Sequence, residues 1–190
     1  MKPEQIDRMR SATVENSARY LQARNDAIIA VLTDTGLRVN ELRLLDVDMI
    51  DLDDGVTNLP ASIQKDYAND NSPSDTTIGL ATDTIRTLRM YLSNRWKDTK
   101  ALFPSRQNDR VSNQSIRDLV ANAAEWANVE PHSTGNGRGE PNDVTPHTFR
   151  HSVAYRMLRR EDKSIYDVKN RLRHASLITT DRMYSHLDVV

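Results

Sequence analysis

Cysteine is absent from this chain, which removes disulfide scaffolds, thiol catalysis and thiolate zinc or iron–sulfur sites in one step. Any chemistry must come from oxygen and nitrogen side chains. Long apolar runs are missing as well, since none approaches the roughly 18–20 residues that span a bilayer. The opening MKPEQIDRMR is polar from the start, without the basic and then apolar order of a secretory signal. Together these absences point to the cytoplasm and away from a membrane partner. An excess of one charge is also lacking: 26 Lys+Arg stand against 27 Asp+Glu. What is there is a chain of 190 residues, 37% hydrophobic, enough for one ordinary domain with a real core.

The charge is unevenly distributed. From Asp34 to Asp83 there are 11 acids against Arg38, Arg43 and Lys65, a stretch that repels a polyanion on average. From His147 to Arg182 there are 9 bases against 4 acids, which predicts a basic face toward the C-terminus. The residue choice is skewed too, with 20 Arg to 6 Lys and 20 Asp to 7 Glu. Such usage suits a salty cytoplasm, although a net charge near zero argues against extreme halophily.

Helical periodicity dominates. Ile116, Leu119, Val120 and Ala123, with Trp126 or Ala127, fit i, i+3, i+4, i+7 and predict a core-facing helix. Ser112 is its N-cap and Glu130-Pro131 its end. Ile85, Leu88, Leu92 and Trp96 repeat the pattern after Thr82. Ala27 to Leu32 lies in a helix stopped by Gly36, and Ile6 and Met9 belong to a short leading helix. The β signal is confined to Ile50 and Leu52, the turn Asp53-Asp54-Gly55, then Val56 and Leu59, which read as a hairpin. Thr76-Thr77-Ile78 adds a third strand, and KDYANDNSPSD between them is a turn-rich tip. Residues 132–143, HSTGNGRGEPND, read as a mobile loop. Helices are then expected over Pro146 to Arg160, with a Thr145 cap and an N1 proline, over Ile165 to Arg173, and from Ser176 to about Tyr184. The fold class is mainly α with a small antiparallel β-sheet.

Four clusters carry chemistry: TGLRVNEL at 35–42, HTFRH at 147–151, LRH at 172–174 and TTDRMYSH at 179–186. Arg38 follows a helix-ending glycine, so it sits where two helices meet, and Glu41 one turn on can orient it. An ordinary surface ion pair explains that spacing equally well. His147 and Arg150 lie about 60° apart around a helix and can address one anionic group, while Phe149, Val153 and Met157 take a packing face. A solvated helix face is the plain alternative for HxxR. The i, i+4 pair His147 and His151 also has metal-ligand spacing, but HTFRH lacks the Glu of HExxH and Arg150 repels a cation there. No metal and no cofactor is expected. His174 ends its helix, where the dipole favours the imidazolium. Tyr184 reads as a packed aromatic or, with cations lowering its proton affinity, as a nucleophile.

In order and spacing the four clusters resemble the catalytic domain of the tyrosine recombinases, the phage-type integrases. That family has TGxRxxEL around a first arginine, a lysine at a β-hairpin, HxxR at the start of a helix, a downstream LxH, and a tyrosine about ten residues beyond that histidine. Here Arg38, Lys65, His147, Arg150, His174 and Tyr184 fill these positions, with Glu41 as the supporting acid. Lys65 is assigned as the only lysine between Lys2 and Lys97. One departure is Arg173, where glycine is usual; another is that only Leu187 to Val190 follow the tyrosine segment.

The resemblance implies a catalytic domain over 1–190, without the N-terminal core-binding domain of the family, and double-stranded DNA as partner, with self-assembly on it as a tetrameric synapse. It further implies that Arg38 and Arg150 clamp a phosphate and that Tyr184 attacks to form a 3′-phosphotyrosine. Lys65 protonates the leaving 5′-oxygen, His147 takes the tyrosine proton and His174 hydrogen-bonds a phosphate oxygen. Neither metal nor ATP enters. The expected activity is site-specific recombination or integration. A non-cleaving DNA-binding module of the same fold, and DNA relaxation of the type IB topoisomerase kind, are the alternatives.

Overall fold

The computed structural model describes residues 1–66, 72–133 and 137–174. Its elements run α1 (Pro3–Asn16), α2 (Gln22–Thr35), α3 (Val39–Leu44), β1 (Ile50–Asp51), β2 (Val56–Leu59), β3 (Thr76–Gly79), α4 (Thr82–Ser93), α5 (Asn113–Trp126), β4 (His132–Ser133), β5 (Gly137–Arg138), α6 (Pro146–Arg160) and α7 (Ile165–Leu172). The mainly helical class with a small antiparallel sheet holds. Among the described residues no helix is long and apolar enough to cross a membrane. The expected helix from Ser176 to Tyr184 lies outside the described residues.

α2 is the axis of the fold. Every residue from Arg24 to Leu32 is buried, because α1, α4 and α6 pack around it; a helix enclosed on all sides has no polar stripe. Arg24 is admitted because its guanidinium donates to the Pro104 carbonyl at 2.8 Å and to Asn25 Oδ1 at 2.7 and 3.0 Å. The sheet has the order β1-β2-β3, antiparallel throughout. Thr57 and Leu59 of β2 and Ile78 of β3 turn inward, while Thr77 donates to Asn58 on the outer face at 2.7 Å. The alternation follows from the two-residue period of a strand.

Several boundaries differ from the sequence reading. The leading helix is not short: α1 is a full 14 residues. α5 begins at the Ser112 cap, whose hydroxyl accepts from the Ser115 N–H at 3.0 Å, and buries Ile116, Leu119, Val120 and Ala123. It stops at Trp126, short of Pro131, because Asn128 turns left-handed at φ 49°. Trp126 is exposed and Ala127 packs against the core. α4 buries Thr84, Thr87, Leu88 and Tyr91; Ile85 and Leu92 are only half-buried, and Trp96 lies past its end. Polar contacts explain the rotation, since Tyr91 donates to the Leu102 carbonyl at 2.7 Å and Thr87 accepts from Arg10 at 2.9 Å. Residues 132–143 contain a backbone ribbon, with His132 opposite Arg138 and Ser133 opposite Gly137, so the segment is more than a loop.

α6 bridges two cores. Phe149 enters the main one, whereas Val153, Ala154 and Met157 form a second with Val168 and Leu172 of α7. The joint is Gly36. It adopts φ 64°, the left-handed end expected of a helix-stopping glycine, and a Cβ there would stand 2.7 Å from Leu172 Cδ2 and 3.4 Å from Val153 Cγ2. Gly36→Ala is expected to lose about 2 kcal/mol or more from combined backbone strain and overpacking. Gly79→Ala, where a Cβ meets nothing within 4 Å, should stay within about 0.5 kcal/mol. Urea unfolding of the two variants beside the parent checks both values.

Candidate active site

The turn at Gly36 brings the carbonyl end of α2 against the carbonyl end of α7. The last carbonyls of any helix lack internal partners, and here arginines supply the donors. Arg150 of α6 donates through Nη1 to the Gly36 carbonyl at 2.7 Å and through Nη2 to the Leu172 carbonyl. Arg156 donates to the Thr33 and Asp34 carbonyls at 3.2 Å each. Arg171 of α7 reaches back to the Asp34 carbonyl at 3.1 Å and to the Gly79 carbonyl at 3.0 Å. Cations also suit the negative end of a helix dipole.

Arg38 caps the start of α3. Its N–H donates to Glu41 Oε2 at 2.8 Å, its Nη1 to Glu41 Oε1 at 2.8 Å, and its Nη2 to the Arg173 carbonyl at 3.0 Å. The ion-pair reading and the orienting reading of Arg38 and Glu41 merge, because this pair is not a surface one: Glu41 is 1% exposed. Its second oxygen also accepts from Arg173 Nη2 at 2.7 Å. Arg173 stands just past α7 at φ 52°, ψ 51°, the left-handed region that glycine enters freely and other residues reach at a cost of about 1 kcal/mol. That geometry accounts for the glycine usual at this position. The contact to Glu41 was not read from the sequence; the one available signal was arginine in a glycine's place.

α6 starts at Pro146 as expected, and the Thr145 N–H donates to Thr148 Oγ1 at 3.1 Å. Its first two turns present His147 and His151, whose rings meet edge to face with centroids 4.4 Å apart. Among the described residues no group of three or more His, Asp or Glu is placed to hold a metal. Arg150 is 2% exposed, held from below by the two carbonyls. His174 follows Arg173, its N–H donating to the Lys169 carbonyl at 3.0 Å. Arg38, His147, Arg150 and His174 are thus gathered at one place, supported by Glu41 and Arg173. Lys65 is carried by a different element, exposed beyond the 3-10 turn Ala61–Ile63 on the way to β3. Tyr184 lies outside the described residues.

The electrostatics correct one expectation. Burial first, and then the charges of Arg150 and Arg38 with His147 and His151, push His174 down to about 3. The imidazolium expected from the helix dipole is therefore not the resting form, since desolvation and neighbouring cations outweigh a helix end. Burial, Arg150 and Arg38 also lower His147. Both rings are neutral at pH 7. Burial raises the Glu41 carboxyl, but Arg173, Arg38 and the Arg38 hydrogen bonds outweigh it and hold it below the usual carboxylate range.

A carboxylate depressed in the folded state contributes stability above its unfolded value, about 4.3, and loses it as pH falls through the folded value. Glu41→Gln is accordingly expected to cost about 3 kcal/mol at pH 7, as removal of one partner from a buried ion pair does. The gap to the parent should shrink only below about pH 4. Urea unfolding from pH 7 to pH 3 measures both the gap and its closure.

Comparison with known proteins gives the family. A model of the "Phage integrase family" matches residues 1–189. The tyrosine recombinase XerC of Neisseria meningitidis serogroup C is 31% identical over 170 residues, covering 88% of this chain and 48% of that protein. The chain spans about half the length of the curated relatives it matches. In fold it is similar to the crystal structure of XerA recombinase, with a TM-score of 0.73, 24% identity and coverage of 100% of this chain and 63% of that one. It is similar also to XerH site-specific recombinase bound to its difH substrate in a pre-cleavage complex, with a TM-score of 0.72, 21% identity and coverage of 98% and 49%. With its family pattern matched over nearly its whole length and its arginines and histidines gathered where α2, α3, α6 and α7 meet, the chain belongs to the phage integrase family, among the tyrosine recombinases.

Proposed function

We propose that this chain is the catalytic domain of a site-specific DNA recombinase or integrase, which cuts and rejoins double-stranded DNA through a 3′-phosphotyrosine. The observation that carries the reading is the convergence of Arg38, Arg150, His147 and His174 around one point, each arginine held by two or more hydrogen bonds to protein. A relative of the same fold, XerH, is bound to its DNA substrate, which supports DNA as the partner. The basic stretch after His147 gives the sign of charge such a partner needs.

Breaking a phosphodiester this way requires cations around the pentacoordinate phosphorus, an in-line nucleophile and an acid for the leaving oxygen. A guanidinium carries five N–H donors in a planar fork. On Arg38 and Arg150 two of these orient the group against Glu41 and backbone carbonyls, and the proposal assigns others to the non-bridging oxygens. The Tyr184 oxygen attacks phosphorus and its proton passes to His147, which is neutral at pH 7 and so able to accept it. The 5′-oxygen departs with a proton from Lys65. His174, also neutral, donates one N–H to a phosphate oxygen. The phosphotyrosine conserves the bond energy, so a 5′-hydroxyl can reverse the step without ATP or metal. Exchange between partners then needs several protomers on paired sites, in the tetrameric synapse the family pattern implies.

In EDTA with a nicked DNA substrate that traps cleavage, the protein is expected to form a covalent adduct on a denaturing gel. Tyr184→Phe should abolish it, and Arg38→Ala or Arg150→Ala should slow it by about 10²–10³. DNA binding without an adduct, its log K falling by about 0.9 per phosphate contact for each tenfold rise in salt, would instead identify a binding module. Plasmid relaxation without recombinant product would identify a topoisomerase.

The depressed His147 sets a pH dependence. A base must be deprotonated to act, and a lowered pKa keeps it so further into acid. At subsaturating DNA, where the rate constant reports the free enzyme, the acidic limb of cleavage is expected below the ordinary histidine value of about 6.5. A limb at or above that value contradicts His147 as the acceptor.

A further inference from the structure

We propose that Arg173 is a positioning residue for Arg38, in effect a second guanidinium that completes the phosphate clamp from behind. The inference rests on the reading of Arg38 as part of that clamp. Three groups form a closed ring: Arg38 Nη1 on Glu41 Oε1 at 2.8 Å, Glu41 Oε2 on Arg173 Nη2 at 2.7 Å, and the Arg173 carbonyl on Arg38 Nη2 at 3.0 Å. A carboxylate held by one arginine can rotate about its last bond. Here each oxygen is pinned by a different guanidinium, so the Glu41 plane is fixed and Arg38 with it. The main chain and the side chain of Arg173 serve the same end, one by accepting from Arg38 and the other by holding its partner.

The backbone shows that the side chain is what this position keeps. Arg173 occupies φ 52°, where glycine would close the helix without strain. Its side chain is 8% exposed, another amino group is spent on the Arg171 carbonyl at 2.9 Å, and its buried Nε has no partner among the described residues. Arginine is thus held in a strained, desolvated place. Charge supplies the reason. Arg38 paired with Glu41 alone sums to zero and sets a carboxylate beside the phosphate position; Arg173 returns the trio to a net positive charge.

The test compares the protein with Arg173→Gly and Arg173→Lys, by melting temperature, DNA affinity, single-turnover cleavage of nicked DNA, and the arginine Nε–H signals of the DNA-free protein. Arg38→Lys assigns the Arg38 signal. Arg173→Gly, which relieves the backbone, is expected to fold and to bind DNA within about threefold of the parent while cleaving about 10–100-fold more slowly, as loss of a supporting contact does. The Arg38 signal should shift or broaden. Arg173→Lys keeps the charge and should recover part of the rate. A folded Arg173→Gly that cleaves at the parent rate overturns the inference, and so does one that no longer unfolds cooperatively, since Arg173 would then serve the fold alone. A parent protein that forms no adduct overturns the proposed function separately. The Arg38 signal then decides alone: displacement in Arg173→Gly upholds the positioning role, and an unchanged signal rejects it.

Discussion

Two helix ends that meet face to face impose the central constraint on this molecule. α2 and α7 bring their carbonyl termini together at Gly36 and Leu172, and each terminus leaves acceptors without intrahelical donors. Arginines supply the missing donors. Arg150, Arg156 and Arg171 each donate to at least one of the Thr33, Asp34, Gly36 and Leu172 carbonyls, and Arg38 reaches the carbonyl of Arg173 just beyond. A lysine ammonium could satisfy one such group; a planar fork spans two carbonyls at a fixed separation. The preference for 20 Arg over 6 Lys has a structural use here.

The same arrangement gathers cations at one point and so sets the chemistry of everything near it. Glu41 stays ionised because Arg173 and Arg38 outweigh its burial. The imidazoles respond in the opposite sense, His147 and His174 both being driven toward the neutral form. In the phosphate site proposed for these arginines, a neutral histidine would retain a lone pair and could accept a proton, which an imidazolium cannot. Structural donors and chemical groups are therefore one network: the bonds that close the α2–α7 joint also orient Arg38 and Arg150.

Much of this was legible in the sequence where signals are local. The Ser112 cap, the helix-stopping Gly36, the hairpin through Gly55 and the Pro146 start of α6 each depend on one or two residues and came out where expected. So did the inward face of α6, Phe149, Val153 and Met157. The α4 face differs from the expected one because periodicity counts apolar residues alone, whereas Thr87 and Tyr91 are buried with hydrogen bonds to Arg10 and to the Leu102 carbonyl. His174 differs for a related reason: its helix end is local, but the burial that chiefly sets its protonation, and the charges of Arg150 and Arg38 that add to it, are not.

By itself the sequence determined the helical class with its small sheet, the family pattern, and the identity and order of the residues that carry it, because capping, periodicity and motif spacing are written along the chain. Only the tertiary structure decided that Arg38 and Arg173, 135 residues apart, share contacts through Glu41, and that Arg150 is anchored to the ends of two other helices. Burial and Coulomb energy depend on distances in space, and those exist only once α2, α3, α6 and α7 have packed.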